Sequence, residues 1–248
     1  MNFAKQTGFA SVCAVGLALA GATGALAGTV TGGSLLSHAG ADQLETWLGV
    51  SDQDFTNIWS GDAGVGTAAS FHAAVDGTGP TFSIYDVTLG DGSSALIGGY
   101  TGLDWAGLGY AYDSTAFIFN LTTGEAQFTQ NSPQHALYRS ASYFATFGGG
   151  HDIFGGTGTL ATCGGAITIS CDGYTRSHSF DISQGQISIV GDSGVGNGDS
   201  GVHNRHIVVK SLETYSFAPA VAPVPLPAGG LLLITALGGL AAARRRKS

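Results

Sequence analysis

Positive charge is scarce in this chain. Its 248 residues carry nine Lys and Arg against 17 Asp and Glu, and five of those cations sit at the extreme ends, at Lys5 and at Arg244, Arg245, Arg246 and Lys247. Between the ends only Arg139, Arg176, Arg205 and Lys210 offset all of the acidic residues. A body so acidic has no footprint for nucleic acid, and it repels anionic lipid and acidic polymers. Cysteine is nearly absent as well, with three in all. No second cysteine pair or histidine cluster completes four zinc ligands at a usual spacing. Also missing are a G-x-S-x-G nucleophile elbow and a Lys-Ser or Lys-Thr after the glycine run 148–150, which a phosphate cradle requires.

What is present begins with legible ends. Lys5 precedes a small, apolar run from Gly8 to Ala20, and Ala25-Leu26-Ala27 then offers the small-x-small pattern that signal peptidase accepts before Gly28. Residues 1–27 are therefore expected to be an export signal, cut between Ala27 and Gly28. At the other end an apolar run from Ala228 to Ala243 precedes the basic cluster at 244–247. It falls short of the ~20 residues that cross a bilayer comfortably, and its cations hold its end on the cytoplasmic side. Cys13 leaves with the signal. In an oxidising compartment Cys163 and Cys171, close in sequence with glycines beside the first, are expected to close a hairpin as a disulfide. Such a link contributes about 2 to 3 kcal/mol.

Val224, Pro225, Leu226, Pro227 and Ala228, followed by the short apolar run and the arginine cluster, resemble the VPLPA variant of the PEP-CTERM sorting signals of Gram-negative bacteria. The resemblance implies that an exosortase in the inner membrane cuts at the motif and delivers the protein to the cell surface or extracellular matrix. Two prolines keep that segment extended and open to a protease.

The body between the ends is long enough for one well-buried domain. ADQLETWLGV at 41–50 puts Leu44, Trp47 and Leu48 on one helical face, and Thr67 before an alanine-rich run predicts a second helix over 67–75. Short alternating or apolar stretches bounded by Gly, Asp and Asn predict strands at 55–59, 81–88, 95–100, 115–121, 126–129, 143–147, 166–170, 178–182, 187–189 and 206–217. The expected class is α+β, mainly β: a two-sheet antiparallel sandwich with a few short peripheral helices. Residues 28–40 read as a linker, 41–218 as the domain and 219–248 as linker, motif, short helix and basic tail.

The order of several fragments resembles one family. Phe71-His72 with Gly79-Pro80-Thr81, Gly98-Gly99-Tyr100 with Trp105, DSTAFIFNL, the Phe147-Gly148-Gly149-Gly150 turn and IVVKSLETYSF are similar, in that order, to the TLDc domain. The similarity runs from about Leu44 to Phe217, although Ser60-Gly61-Asp62-Ala63-Gly64 lacks the arginine usual in the family. It implies a two-sheet sandwich and a non-enzymatic interaction role, linked in eukaryotic relatives to protection from oxidative damage and to the vacuolar ATPase. Exopolysaccharide or surface proteins are the partners open to an exported domain.

Candidate sites are few. His72 could serve as a general base for a hydrolase if Ser70 or Ser83 stood beside it, or it could be a packing residue. In FGGGHDIFGG at 147–156 the glycines are expected to allow positive φ at a strand-to-strand turn, with Asp152 bonding the local backbone. Asp192, Asn197 and Asp199 in DSGVGNGDSG are oxygen ligands suited to calcium, and would make a calcium-dependent glycan-binding module, but the spacing departs from an EF-hand and a flexible acidic loop is favoured. His203 and His206 could hold zinc but lack an evident carboxylate partner.

Intact mass of protein recovered from the cell surface tests the reading of the ends. The expected species starts near Gly28 and ends near the 224–228 motif only in cells that have exosortase. Retention of the arginine tail with or without exosortase would mean a plain membrane anchor.

Overall fold

A computed structural model describes residues 28–129, 132–162, 173–180, 187–191 and 205–221. In chain order its elements are β1 (Val30–Thr31), α1 (His38–Leu48), β2 (Gln53–Asp62), α2 (Ala68–Val75), β3 (Thr81–Thr88), β4 (Ser94–Thr101), β5 (Gly109–Ala111), β6 (Phe117–Asn120), β7 (Glu125–Phe128), β8 (Leu137–Arg139), β9 (Ile153–Phe154), β10 (Tyr174–Thr175), β11 (Arg205–His206) and β12 (Val208–Pro219). The protein is mainly β, as its residue pattern predicts, with two helices among the described residues.

The larger sheet has the order β1-β2-β12-β3-β4-β6-β7. Every neighbour pairs antiparallel except β1 with β2. The last strand among the described residues, β12, lies inside it, bonded to β2 from Ser211↔Asp62 to Pro219↔Gln53 and to β3 from Val208↔Thr88 to Ser216↔Thr81. Both faces of this sheet are buried. Alternation along β3 sends Phe82 and Ile84 to one core and Tyr85 and Val87 to the other. Burial on two sides explains why β6, FIFN, reads as a nearly continuous apolar run.

One face is covered by α1. Ser37 caps the helix by accepting from the Gly40 amide at 3.1 Å, and Gly49 ends it in the left-handed conformation at φ 74°. The helix starts three residues before the expected 41, because the serine cap and not the apolar stripe sets its origin. Leu44 is fully buried, which contributes about 1.5 to 3 kcal/mol, and Trp47 stacks on Phe119 with centroids 5.8 Å apart.

The opposite face carries the second layer. β5 pairs with β8, and β9, β10 and β11 form a small antiparallel sheet; Phe147 bridges Leu137 on one side and Ile153 on the other, joining the two pieces. The stretch 143–147, expected as a strand, therefore contributes only isolated bridges at Tyr143 and Phe147. Positions 178–180 bend and Ile187 makes a single bridge, where strands were expected, since side-chain bonds replace a ladder there. The expected strand at 166–170 lies outside the described residues, as do Cys163 and Cys171. Gly99 seats this layer: a Cβ there would come within 2.7 Å of three Phe147 ring atoms, so the ring lies flat on the β4 backbone.

A single carboxylate ties the chain's early segment to β12. Glu213 accepts from the Ser34 amide at 2.9 Å, from the Ser34 hydroxyl at 3.0 Å, from the Leu35 amide at 2.9 Å and from the Tyr215 hydroxyl. Burial pushes this carboxyl up, but the Tyr215, Leu35 and Ser34 donors outweigh it and hold the group below its ordinary 4.5. Its stabilisation is thus fully present above the ordinary value and is lost as pH falls through the lower folded one. Glu213→Gln is expected to cost about 1.5 to 3 kcal/mol at neutral pH. The melting-temperature gap to the unsubstituted protein should shrink below pH 4.5. A gap that stays constant into acid would contradict the assignment.

Candidate functional site

His72 sits on α2, whose first turn is capped by Thr67 accepting from the Ser70 amide at 3.2 Å. Its Nδ1 lies 2.8 Å from an Asp76 carboxylate oxygen, and its Nε2 lies 2.9 Å from the Ser140 carbonyl and 3.0 Å from that of Tyr143. Carbonyl oxygens only accept, so Nε2 carries the hydrogen and donates it. Neither ring nitrogen bonds a serine hydroxyl. Ser70 donates to the Thr67 carbonyl at 2.8 Å and accepts from the Trp59 indole at 3.2 Å, while buried Ser83 shares a hydrogen bond with Thr214 at 3.1 Å. The three residues are not brought together. His72 instead fastens α2 to the segment around 140–143.

The 147–156 stretch is a tight turn, as expected. Phe147 and Ile153 exchange amide-to-carbonyl bonds at 3.2 Å, and Gly148, Gly150 and His151 have φ of 87°, 71° and 71°. The amides of its glycine run are engaged within the fold: Gly148 donates to the Ala136 carbonyl, Gly149 to the Ser179 hydroxyl at 2.8 Å and Gly150 to the Tyr110 hydroxyl at 3.2 Å. Asp152, expected to bond the local backbone, does not. Its Oδ2 accepts from the distant Ser179 and Phe180 amides at 2.6 and 3.0 Å, because a side chain pointing into the core can satisfy donors from another loop that has no ladder of its own. Gly148 has to be glycine here, since a Cβ would sit on that carboxylate.

Charge in this region is buried. Arg176, 8% exposed, donates from Nη1 to the Gly150 carbonyl at 2.9 Å, and its amide donates to the Asp152 carbonyl at 3.1 Å. Burial pushes the Asp152 carboxyl up to about 7, against the pull of the Ser179, Phe180 and His178 amides and of the Arg176 charge. Burial, and then Arg176, lower His151 to about 4, so its imidazole is neutral at physiological pH. That ring is boxed by aromatics, stacked on Phe154 at 5.6 Å and flanked by Tyr138 at 5.0 Å and Tyr143 at 5.6 Å.

Beside the turn lies an open cavity of about 230 Å³ lined by Tyr110, His135, Gly149, Gly150 and His178. Four separate segments build it. The β5–β8 pair sets Tyr110 opposite Tyr138, and the Tyr110 ring meets both Tyr138 (5.1 Å) and His135 (4.9 Å) edge to face. His135 is bound through Nδ1 to Ser132 at 3.3 Å and His178 through Nδ1 to Ser179 at 3.1 Å. Among the described residues neither Nε2 has a hydrogen-bond partner. Burial, then the neighbouring His135 and Arg176, hold His178 below its ordinary 6.5. Reading residues along the chain does not find this cavity. The one local signal is Tyr110 and Tyr112 alternating near the end of a short strand.

The remaining expected sites lie outside the described residues: the signal residue Ala27, the calcium candidates Asp192, Asn197 and Asp199, His203, and the tail from Val224 through Ala228 to Arg244, Arg245, Arg246 and Lys247. Gly28 packs so closely on the Gln53 carbonyl that no Cβ fits. Among the described residues no group of three or more His, Cys, Asp or Glu could hold a metal, and no helix is long and apolar enough to cross a membrane.

Asp152 supplies a pH test. A carboxyl raised from 3.8 to about 7 binds its proton more tightly folded than unfolded, so the stability it permits falls as pH rises through that window and then levels. Asp152→Asn removes the slope. The melting temperature of the variant relative to the parent should climb between about pH 4 and 7; a difference independent of pH would contradict a raised carboxyl.

No protein-family model matches the chain and no curated protein matches it, so its likeness to the TLDc domain rests on the quoted residues alone.

Proposed function

We propose that the protein is an exported, non-enzymatic interaction module with a TLDc-like domain. Exosortase, acting at the 224–228 motif, delivers it to the cell surface or extracellular matrix of a Gram-negative bacterium. The observation that carries this reading is the contrast between two sets of groups. His72, Ser70 and Ser83, the residues with nucleophile and base chemistry, are consumed by internal hydrogen bonds. The Tyr110 cavity keeps two imidazole edges and an exposed aromatic flank turned outward, with Tyr110 44% and Tyr112 63% exposed. A hydrolase built on His72 requires a nucleophile within its hydrogen-bond reach. The serines bonded to the cavity imidazoles, Ser132 and Ser179, are buried, with Ser179 also held by the Gly149 amide and the His135 carbonyl. Recognition requires only a fixed concave surface with a few polar groups. The acidic surface keeps such a domain soluble in a salty exterior.

The test is add-back of protein purified from the cell surface to matrix-bearing cells and to cells stripped of matrix. Saturable retention by the matrix-bearing cells alone is expected, unchanged in His72→Asn, Ser70→Ala and Ser83→Ala. Absence of retention overturns the reading, and so does turnover of chromogenic ester or glycoside substrates that disappears in His72→Asn.

A further inference from the structure

The cavity beside the 147–156 turn has a composition that specifies a ligand class. Its lining holds no carboxylate, no lysine and no arginine. Burial keeps the His178 imidazole uncharged at neutral pH, and the nearest guanidinium, Arg176, is buried and committed to the Gly150 carbonyl. No lysine or arginine on these walls neutralises an anion, and the chain's net acidic charge disfavours one. A cationic ligand finds no counter-charge on the lining either. The occupant is therefore neutral.

Its shape and polarity follow from the same walls. Gly149 and Gly150 leave a side-chain-free floor, which is compulsory, since a Cβ on Gly149 would come within 2.6 Å of the His178 ring. Tyr110 offers an aromatic ring fixed by two edge-to-face contacts, and its hydroxyl, already accepting from the Gly150 amide, has its own hydrogen free to donate. The two Nε2 atoms add hydrogen-bonding groups at the rim. At about 230 Å³ the space is smaller than a drug-sized pocket of ~300 to 1,000 Å³, and suits a single ring with the rest of the ligand outside. Tyr112, 63% exposed and one residue past the end of β5, is a second outward aromatic ring two positions along the chain. A pyranose has these complements: an apolar C–H face to lie on an aromatic ring and hydroxyls at its edge to meet imidazole and phenol.

We infer that the Tyr110, His135 and His178 cavity binds one residue of a neutral polysaccharide, with Tyr112 carrying the next sugar along the chain. Binding needs no metal. This deepens the interaction-module reading, on which it rests, by naming the ligand class of the same site.

Isothermal titration of the protein purified from the cell surface, at neutral pH with a chelator present, tests it. The probes are cellopentaose, maltopentaose and mannopentaose, with tetragalacturonate as the anionic comparison. Saturable binding of at least one neutral probe is expected, weakened at least about tenfold by Tyr110→Ala and by Gly149→Ala. Tyr110→Phe should keep most of the affinity. Should Tyr110→Ala or Gly149→Ala fail to fold, Tyr112→Ala, at an exposed side chain, must still weaken binding. The inference is overturned if no neutral probe binds, if only tetragalacturonate binds, if chelator abolishes binding, or if folded Tyr110→Ala and Tyr112→Ala bind as the parent does. Matrix retention that persists without sugar binding removes the sugar and leaves the interaction module standing; loss of matrix retention removes the module itself.

Discussion

The double ladder of β12 is the constraint on which the rest depends. This strand is the last among the described residues, yet it supplies hydrogen bonds to β2 on one side and β3 on the other. Until it is in place β2 and β3 have no common neighbour, and neither core can close around Leu212 and Tyr215. Glu213 sits on the same strand and draws the segment at 34–35 onto it, so the helix that covers one face is located by a carboxylate from the opposite end of the chain. Contacts of such long sequence separation are formed late and slowly. A sheet of this topology cannot finish folding while its C-terminal strand is still elsewhere.

Closure of the sheet also positions the Tyr110 cavity, through a short series of contacts. Gly98 and Gly99 keep the β4 backbone bare: the first leaves room for Phe119 on one face, the second for Phe147 on the other. Phe147 then bridges both halves of the second layer and starts the turn whose glycines form the cavity floor. Beneath that floor Asp152 collects two amides from the 179–180 bend and so holds His178 at the rim. Burying that carboxylate is costly, and the cost serves to fix a loop that no ladder supports.

The residues that declare themselves in the sequence are those whose partners are local or periodic. Thr67 before AASFHAAV marks a helix start, and TFSIYDVT marks a strand at its true bounds, because capping and alternation act over a few positions. The second layer was poorly legible for the opposite reason. β8, β9, β10 and β11 are two or three residues each and exist by virtue of Phe147, Tyr174 and the aromatics around His151, so propensity has almost no length over which to act. Among the site residues His72 stood out by type, but its partners at 140 and 143 carry backbone carbonyls, which no side-chain pattern reveals. Tyr110, His135 and His178 were invisible as a group because three unrelated segments deliver them.

The placement of β12 has a mechanical meaning for any protein held by its C-terminal side. A tether leaving the fold after Pro219 pulls this strand along its own axis, and the antiparallel pairs from Pro219↔Gln53 to Ser211↔Asp62, together with those to β3, meet the load in shear. Many hydrogen bonds must then yield at once, whereas a strand at the sheet's edge pulled sideways would release them one after another. Drag on a domain so attached is carried by its strongest direction, and the cavity, mounted on the other layer, lies off the line of force.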